Sequence, residues 1–385
     1  MIPIAKPCID EREAEAARRV ILSGWITQGP EVVAFEREFA DCVGAEYACA
    51  VSNCTTALHL ALRAAGVGPG DEVVTVSHSF IATANSIRYC GAIPVFVDIQ
   101  PDTFNLDPKQ VEAAITPATR AILCVHQMGM PCDLSSLVAI AGKHGIPLIE
   151  DAACAIGSEV LWNGRWEKIG KPHGDVACFS FHPRKVISTG DGGMITTRHK
   201  AWHDQFRLWR QHGMSISDAV RHSSAEVVFE SYPEVGFNYR MTDIQAAVGR
   251  EQLKRLPEII QRRRELASTY SEALFGLPGL IVPSEPNWAR SNWQSYCITL
   301  PNDCNQKQVM QSLLDRGIAT RRGIMCAHRE PAYLKEPWRS IGVLAASEKA
   351  QETAVILPLY PDMSATDQEA VSEAIRYILT PECVS

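Results

Sequence analysis

The sequence contains no uninterrupted apolar run of about 18 residues, the length that a transmembrane helix needs. Its first residues, 1–7, contain no apolar signal core. Internal repeats and low-complexity tracts are absent as well. We therefore expect no membrane span, no repeat architecture and, by default, a cytoplasmic location.

The sequence also has fewer positively charged than negatively charged residues. The 37 lysine and arginine residues are outnumbered by 44 aspartate and glutamate residues, which gives a net charge of −7 at pH 7. This balance offers no electrostatic reason to bind nucleic acid or an anionic membrane. We therefore expect neither a nucleic-acid partner nor a membrane partner.

The ligand spacings of a metal or redox site are missing too. None of the 13 cysteines forms a C-x-x-C pair, and His199 with His203 has no further obvious ligand nearby. Most cysteines lie in apolar segments and are expected to be small buried residues in a reducing compartment. We expect no metal site.

The sequence does contain a series of short apolar runs that are typical of buried strands. Helical patterns such as 56–65 and 134–143 separate most of them, and this alternation predicts a mostly parallel α/β sheet. The predicted strands are residues 47–52, 72–76, 94–98, 121–125, 147–151, 176–181 and 193–197.

The C-terminal part of the 385-residue chain has a different pattern. A helix over 242–256 is expected to end at Pro257, and a second helix is expected over 258–275. Further segments at 292–300, 307–316 and 367–379 indicate a smaller α+β unit. We predict a large domain over 1–256 and a small domain over 257–385, with the N-terminal segment packing on the small one.

Lys185 is the first candidate for chemistry. It follows an apolar strand, in a polar, glycine-rich turn within residues 179–193. A lysine at the end of a strand can be partly desolvated, which lowers its pKa and frees the amine to form a Schiff base with a carbonyl compound. The alternative is an ordinary solvated lysine, which is the common case for a lone lysine.

Two other segments favour the chemical interpretation. Asp151 follows the apolar run 146–149 and so lies at the C-terminal end of a strand, where open α/β sheets bind ligands. A carboxylate there can keep the ring nitrogen of pyridoxal phosphate protonated, although it could also be a helix N-cap. In residues 51–62 a helix is expected to start near Thr55, where free N–H groups suit a phosphate, although Ser and Thr are also ordinary caps.

The order and spacing of these segments resemble the DegT/StrS-type pyridoxal-phosphate sugar aminotransferases, which have the fold type I aminotransferase architecture. The resemblance covers nearly the whole chain and includes residues 23–30, 94–98, 236–247 and 357–361. It implies an α/β large domain with a mostly parallel seven-stranded sheet and a smaller C-terminal α+β domain. It also implies pyridoxal 5'-phosphate as the cofactor, pyridoxamine 5'-phosphate as its intermediate form, and a homodimer with active sites shared across the interface.

The resemblance assigns roles around the cofactor ring by position. Lys185 would be the lysine that forms the Schiff base, and Asp151 would be the partner of the pyridine nitrogen. Phe80 would stack on the ring, although a phenylalanine is as commonly a core residue. Cys154 would lie beside the cofactor, where the family commonly has a larger polar residue.

The remaining roles concern the phosphate and the substrates. The phosphate would be held by Ser180, Thr55 and the backbone at Cys54, and by Asn238 from the neighbouring subunit. Cys54 stands where the family often has glycine, and Asp191 replaces a frequent glutamate. Candidate substrate contacts, each of which could equally be structural, are Trp25, Thr27, Tyr239, Arg321 and His328.

The activity that the resemblance implies is transfer of an amino group from glutamate or glutamine to the keto group of a nucleotide-linked deoxysugar. A related sugar 3-dehydratase has histidine in place of the lysine, so Lys185 favours transamination over that dehydration. The alternatives are a keto-inositol (aminocyclitol) aminotransferase, a desulfurase or lyase with Cys326 as nucleophile, and a non-catalytic regulatory protein on the same scaffold. A desulfurase would require Cys326 to be exposed and to have a low pKa.

Overall fold

The computed structural model describes residues 1–216 and 226–379, and it contains both helical and extended elements in alternation. The strands are β1 Tyr47–Val51, β2 Glu72–Val76, β3 Ile93–Val97, β4 Thr119–Val125, β5 Leu148–Asp151, β6 Glu159–Trp162, β7 Arg165–Lys168, β8 Val176–Ser180, β9 Gly193–Thr197, β10 Ala289–Arg290, β11 Tyr296–Thr299, β12 Arg321–Arg322, β13 Arg339–Ser340 and β14 Ala354–Leu357. The helices are α1 Glu11–Ser23, α2 Pro30–Val43, α3 Cys54–Ala64, α4 Ala82–Tyr89, α5 Pro108–Ala114, α6 Leu134–His144, α7 Lys200–Trp209, α8 Asp243–Leu274, α9 Gln306–Asp315, α10 Ala345–Thr353 and α11 Ala365–Leu379.

The largest sheet of the described residues has eight strands in the order β1-β9-β8-β5-β4-β2-β3-β13. Strand β9 runs antiparallel to both of its neighbours, and the other pairings are parallel. All seven predicted strands belong to this sheet, which confirms the predicted α/β fold with a mostly parallel sheet. The eighth strand, β13, is a two-residue addition at the edge that the sequence pattern did not predict.

The sheet is covered on both faces, as its continuous apolar strands require. Neighbouring residues of one strand join different clusters of buried side chains: Val73 of β2 belongs to one cluster and Val74 to another. In β4, Leu123 and Cys124 are divided in the same way. Because successive side chains of a strand point to opposite faces, the two clusters lie on opposite sides of the sheet.

Helix α8 corrects one expectation. It runs without a break for 32 residues, from Asp243 to Leu274, and Pro257 lies inside it rather than between two helices. An interior proline removes one helical hydrogen bond and costs about 3 kcal/mol or more. The helix continues because buried apolar residues lie on both sides of the proline, with Leu256 before it and Ile259 after it.

A second core lies in the C-terminal part of the chain. It is formed by the end of α8, helices α9 and α11, and the sheet β11-β14-β12, and it includes the buried residues Tyr270, Tyr296 and Leu313. The N-terminal segment joins it, since the N–H of Ile2 donates to the carbonyl of Gly317 at 2.7 Å. The predicted domain boundary at 256/257 falls within α8, and the division into two domains stays a prediction.

The described residues contain no helix that is both long and apolar enough to cross a membrane. Within residues 1–216 and 226–379, no group of three or more His, Cys, Asp or Glu is placed to hold a metal ion. The cysteines in that part of the chain are free thiols, and most of them are buried.

Candidate active site

A cavity of about 560 Å³ lies at the C-terminal edge of the parallel strands. Its wall takes residues from the ends of several strands and from the loops that follow them: Val125 ends β4, Asp151 ends β5 and Ser180 ends β8. Parallel α/β sheets bind ligands at this edge, because strand ends and helix starts meet there. The volume is in the range of small-molecule and cofactor sites.

Lys185 lies in the loop between β8 and β9, and its side chain reaches into the cavity. The loop turns tightly, since the N–H of Lys185 donates to the carbonyl of His182 at 2.8 Å. The ammonium donates to the sulfur of Cys154 at 3.0 Å. Lys185 is therefore not an ordinary solvated lysine.

The pKa of Lys185 differs from the sequence-based expectation. Burial alone would lower this pKa, but the sulfur of Cys154 and the carboxylate of Asp151 favour the ammonium, and the pKa is raised above its usual value. The expected lowering is wrong because it considered burial and not the neighbouring groups. The amine must give up its proton before it can act as a nucleophile.

Asp151 is buried at the end of β5, with 5% of its surface exposed. Its carboxylate accepts hydrogen bonds from the hydroxyl of Thr83 at 2.8 Å and from the N–H of Ala153 at 3.2 Å. Burial raises the pKa of this carboxyl, while both hydrogen bonds and the Lys185 ammonium act in the opposite direction. Turns, not a helix, follow Asp151, so the N-cap alternative is wrong.

The start of α3 forms another part of the wall. Asn53 is the N-cap, and its side-chain oxygen accepts the N–H of Thr56 at 2.9 Å. The N–H groups of Cys54 and Thr55 belong to the first turn, where a helix has no internal acceptors for them. A phosphate at this point would meet those N–H groups and the positive end of the helix dipole.

Glycine at position 193 brings Ser180 close to this helix start. Ser180 pairs with Gly193 in the antiparallel register of β8 and β9. A Cβ atom on Gly193 would lie 2.5 Å from the backbone carbon of Asn53, a distance that real Cβ atoms do not reach. Only a residue without a side chain therefore lets β9 pack this closely against the backbone before α3, with Ser180 of β8 paired beside it.

Phe80 lies on the cavity wall with 56% of its surface exposed, in the loop between β2 and α4. The alternative of a core phenylalanine is therefore wrong. An exposed aromatic ring at the mouth of a cavity is suited to stack on a planar ligand. Its predicted role as the stacking partner of the cofactor stays a prediction.

The two cysteines that depart from the family pattern both contact catalytic candidates. The Cys54 sulfur lies 4.0 Å from an oxygen of Asp151 and 3.5 Å from the carbonyl oxygen of Cys178. The carbonyl of Cys154 accepts the side-chain amide of Asn292 at 2.8 Å. Asn292 is completely buried, so the backbone that carries the Cys154 sulfur is firmly placed.

The structure separates the candidate substrate residues. Arg321 lines the cavity, whereas the other four lie outside its wall as far as the chain is described. The hydroxyl of Tyr239 bonds to His59 at 3.1 Å, and His328 bonds to Ser77 at 2.6 Å. The other two lie near the start of α2 and of α8: Trp25 donates to the carbonyl of Gln28 at 3.3 Å, and the carbonyl of Thr27 accepts the first N–H of α8 at 3.1 Å.

Asn238 also lies outside the wall formed by its own chain. It is exposed, and its backbone pairs with Gln211. The prediction that it reaches the phosphate of a neighbouring subunit is not tested by one chain.

Several residues of the wall were missed by sequence reasoning. Thr83 is three residues beyond Phe80, in the first turn of α4, and this spacing could have indicated it. Arg184 precedes the lysine directly, and Arg322 follows Arg321. Gln294 comes from a segment far along the chain and had no sequence signal.

Cys326, the nucleophile of the desulfurase alternative, is buried in the structure. Burial raises the pKa of its thiol to about 12, and its sulfur donates to the carbonyl of Ser347 at 3.2 Å. A nucleophilic cysteine needs exposure and an accessible thiolate. The structure therefore argues against Cys326 as a nucleophile.

Comparison with known proteins gives one consistent result. The model of the DegT/DnrJ/EryC1/StrS aminotransferase family matches residues 7–376. The spore coat polysaccharide biosynthesis protein SpsC of Bacillus subtilis (strain 168) is 38% identical over 382 residues, which are 98% of this chain and 97% of that protein.

Solved structures agree. The structure of S. venezuelae DesV in complex with a ketimine intermediate is 33% identical to this chain and has a TM-score of 0.89. The match covers 100% of this chain and 99% of the DesV chain. The structure of DesI in the presence of its TDP-sugar product is 32% identical to this chain and has a TM-score of 0.86. The match covers 98% of this chain and 92% of the DesI chain.

Proposed function

Because the chain belongs to the DegT/DnrJ/EryC1/StrS aminotransferase family, we propose that it transfers an amino group from glutamate or glutamine to the keto group of a nucleotide-linked deoxysugar. It is an aminotransferase with a fold type I architecture, and its cofactor is pyridoxal phosphate. The observation that carries the proposal is the meeting of Lys185, Asp151 and the N-terminus of α3 around one cavity.

The cavity residues fit the cofactor. The buried carboxylate of Asp151 suits a cationic ring nitrogen, because a buried charge requires a partner. Thr55, Ser180 and the first N–H groups of α3 suit the phosphate, and Phe80 suits a ring face. When bound, pyridoxal phosphate takes up the amino group of the donor and withdraws electrons from the carbon that carries it.

The protein's own groups then have distinct tasks. Asp151 holds the proton on the ring nitrogen, and Thr83 fixes the carboxylate that does so. The amine of Lys185 anchors the cofactor and, once released, is the basic group in the cavity that can move a proton to and from the donor carbon. The same amine must be neutral for both tasks, although its neighbours favour the ammonium.

The acceptor is proposed to be anionic. Arg184, Arg321 and Arg322 lie on the cavity wall, and a guanidinium group suits the oxygens of a diphosphate. Arg322 is already paired with Glu330 at 3.0 Å, so Arg184 and Arg321 are the better candidates. DesI, which was determined with a TDP-sugar, supports a nucleotide-linked sugar here.

We further propose a homodimer in which Asn238 of each subunit completes the phosphate site of the other. The exposure of Asn238 and its position outside its own cavity support this arrangement.

The test begins with the absorbance spectrum of the purified protein in pyridoxal phosphate, before and after L-glutamate and then L-glutamine. Conversion of the lysine-bound cofactor into pyridoxamine phosphate by either donor is the expected result, and Lys185→Ala should show no lysine-bound band. The aminated enzyme is then offered nucleotide-linked keto-sugars and keto-inositols. A protein that takes up no cofactor would overturn the proposal. Turnover only with keto-inositols would show that the acceptor is a keto-inositol and not a nucleotide-linked sugar.

A further inference from the structure

Cys154 and Lys185 form a contact that the proposed function does not use. The ammonium nitrogen of Lys185 lies 3.0 Å from the sulfur of Cys154, within hydrogen-bonding distance. The two residues are 31 positions apart and belong to different loops at the sheet edge. The contact therefore depends on tertiary structure and not on local sequence.

The position of the sulfur is set by the backbone around it. The side-chain amide of Asn292 donates to the carbonyls of Cys154 and Ile156, each at 2.8 Å. The side-chain oxygen of Asn292 accepts the N–H of Gln294 at 2.9 Å. Asn292 is fully buried, so these bonds hold the 154–156 turn against the segment that follows β10.

Other groups around the amine are less well placed to bind it. Asp151 on β5 favours the ammonium through its charge, but its described hydrogen bonds come from Thr83, Ala153 and Cys54. Further titratable or charged groups on the cavity wall or its loops are His182, Arg184, Asp191, Arg321 and Arg322. Among the described side chains, the Cys154 sulfur is the hydrogen-bond acceptor of the Lys185 amine.

We propose that Cys154 is a positioning residue for Lys185: its sulfur holds the ε-amine in place, as an ammonium, whenever that amine is not bonded to the cofactor. This inference rests on the proposed function, in which Lys185 is alternately bound and free. Cys154 would thus set how readily the free amine returns to the neutral form that anchors the cofactor.

The Cys154 sulfur should affect the protonation of Lys185 in one direction. An acceptor at hydrogen-bond distance stabilises the ammonium relative to the amine. Removing the acceptor should therefore lower the pH at which Lys185 becomes neutral and speed its reaction with a carbonyl compound at a fixed pH. A residue that merely filled space would change packing and stability without this directional effect.

The experiment measures the amine directly in the full chain freed of cofactor. Trace acetylation with acetic anhydride at a series of pH values is read by mass spectrometry, and the midpoint of the labelling curve reports the protonation of Lys185. Trypsin cuts after Arg184, so acetylated Lys185 is found at the start of the peptide 185–198. The variants are Cys154→Ala, which removes the acceptor, and Cys154→Ser, which keeps one.

The expected result is a lower midpoint for Cys154→Ala, with several-fold more label at any fixed pH below the wild-type midpoint. Cys154→Ser should stay near the wild type. Cys304→Ala, a cysteine substitution in a turn after β11, is the matched control and should not move the curve. An unchanged midpoint in Cys154→Ala, or an equal shift in Cys154→Ser, would overturn the proposal.

A second readout separates this inference from the proposed function. Each variant is mixed with pyridoxal phosphate, the product is fixed with borohydride, and the same peptide is examined for a pyridoxyl group. A wild-type protein that never carries this group on Lys185 contradicts the proposed function, whatever the acetylation curves show. Uptake by the wild type with indistinguishable curves for all variants contradicts only the role of Cys154.

Discussion

The hydroxyl of Thr83 donates to the carboxylate of Asp151 at 2.8 Å, and so joins the first turn of α4 to the end of β5. Thr83 is itself held, since its hydroxyl lies 2.8 Å from that of Ser79. The carboxylate that would face the cofactor ring is thereby fixed from the β2–α4 connection, although β4 lies between β2 and β5 in the sheet.

Thr83→Val should weaken cofactor binding. The variant keeps the shape of the side chain but removes a hydrogen bond to a charged group, which is worth about 1.5–3 kcal/mol. The dissociation constant for pyridoxal phosphate, measured by absorbance titration, should rise by about tenfold or more. Thr83→Ser keeps the hydroxyl and should bind like the wild type; equal weakening of both variants would contradict the role of the hydrogen bond.

Asp151→Asn should separate stability from activity. Burial raises the pKa of Asp151, so the folded chain binds its proton more readily than the unfolded chain. The free energy of unfolding therefore falls as the pH rises from the unfolded pKa through the folded one, and the charged carboxylate remains a cost at neutral pH. The asparagine variant should melt at the wild-type temperature or above it, and its melting temperature should lose this pH dependence.

The same variant should be a poor aminotransferase. Without the carboxylate the ring nitrogen loses the group that keeps it protonated, and removing one such electrostatic contact typically costs about 10²-fold or more in rate. Stopped-flow measurement of the reaction with L-glutamate gives the rate of the variant relative to the wild type. A variant that melts well below the wild type yet reacts at its rate would contradict both halves of this prediction.

Gly193→Ala should disturb the phosphate corner. The added methyl group would meet the backbone of Asn53 at 2.5 Å, and forcing it in should cost about 1–3 kcal/mol of stability. Affinity for pyridoxal phosphate should fall as well, because β9 would move away from the start of α3. Gly68→Ala is the control, since a Cβ there meets nothing within 4 Å. Calorimetry of both variants measures the change in stability, and cofactor titration measures the change in affinity.

A mixture of two impaired variants should regain activity if Asn238 acts across a dimer interface. Lys185→Ala lacks the lysine and Asn238→Ala weakens the phosphate site, but in a mixed dimer one site has both residues intact. After unfolding and refolding together, about a quarter of the sites should be complete, as random pairing in a two-fold dimer requires. Activity no higher than the sum of the separate variants would contradict a shared site.

The parts of this protein that could be predicted from sequence are those that depend on local patterns. Continuous apolar runs identified seven strands of the sheet, and the change from strand to polar turn identified Lys185 and Asp151 at its edge. The start of α3 was predicted within one residue, because a cap and an apolar stripe are local signals.

The errors arose where distant residues decide the outcome. The direction of the Lys185 pKa depends on Cys154 and Asp151, which lie on other connections. The continuity of α8 through Pro257 depends on what its two halves pack against. Strand β13 is too short to have a pattern, and the placement of Cys154 depends on Asn292, 138 positions away.

Helix α8 has a consequence for how the molecule unfolds. Its first half supplies Leu253 and Leu256 to the core against the large sheet, and its second half supplies Leu266 and Tyr270 to the C-terminal core. Helix formation is cooperative along the chain. Loss of either core therefore destabilises α8, the helix that the other core also packs against. The two cores are thus thermodynamically coupled, and heat should melt them in one cooperative transition and not as two independent units.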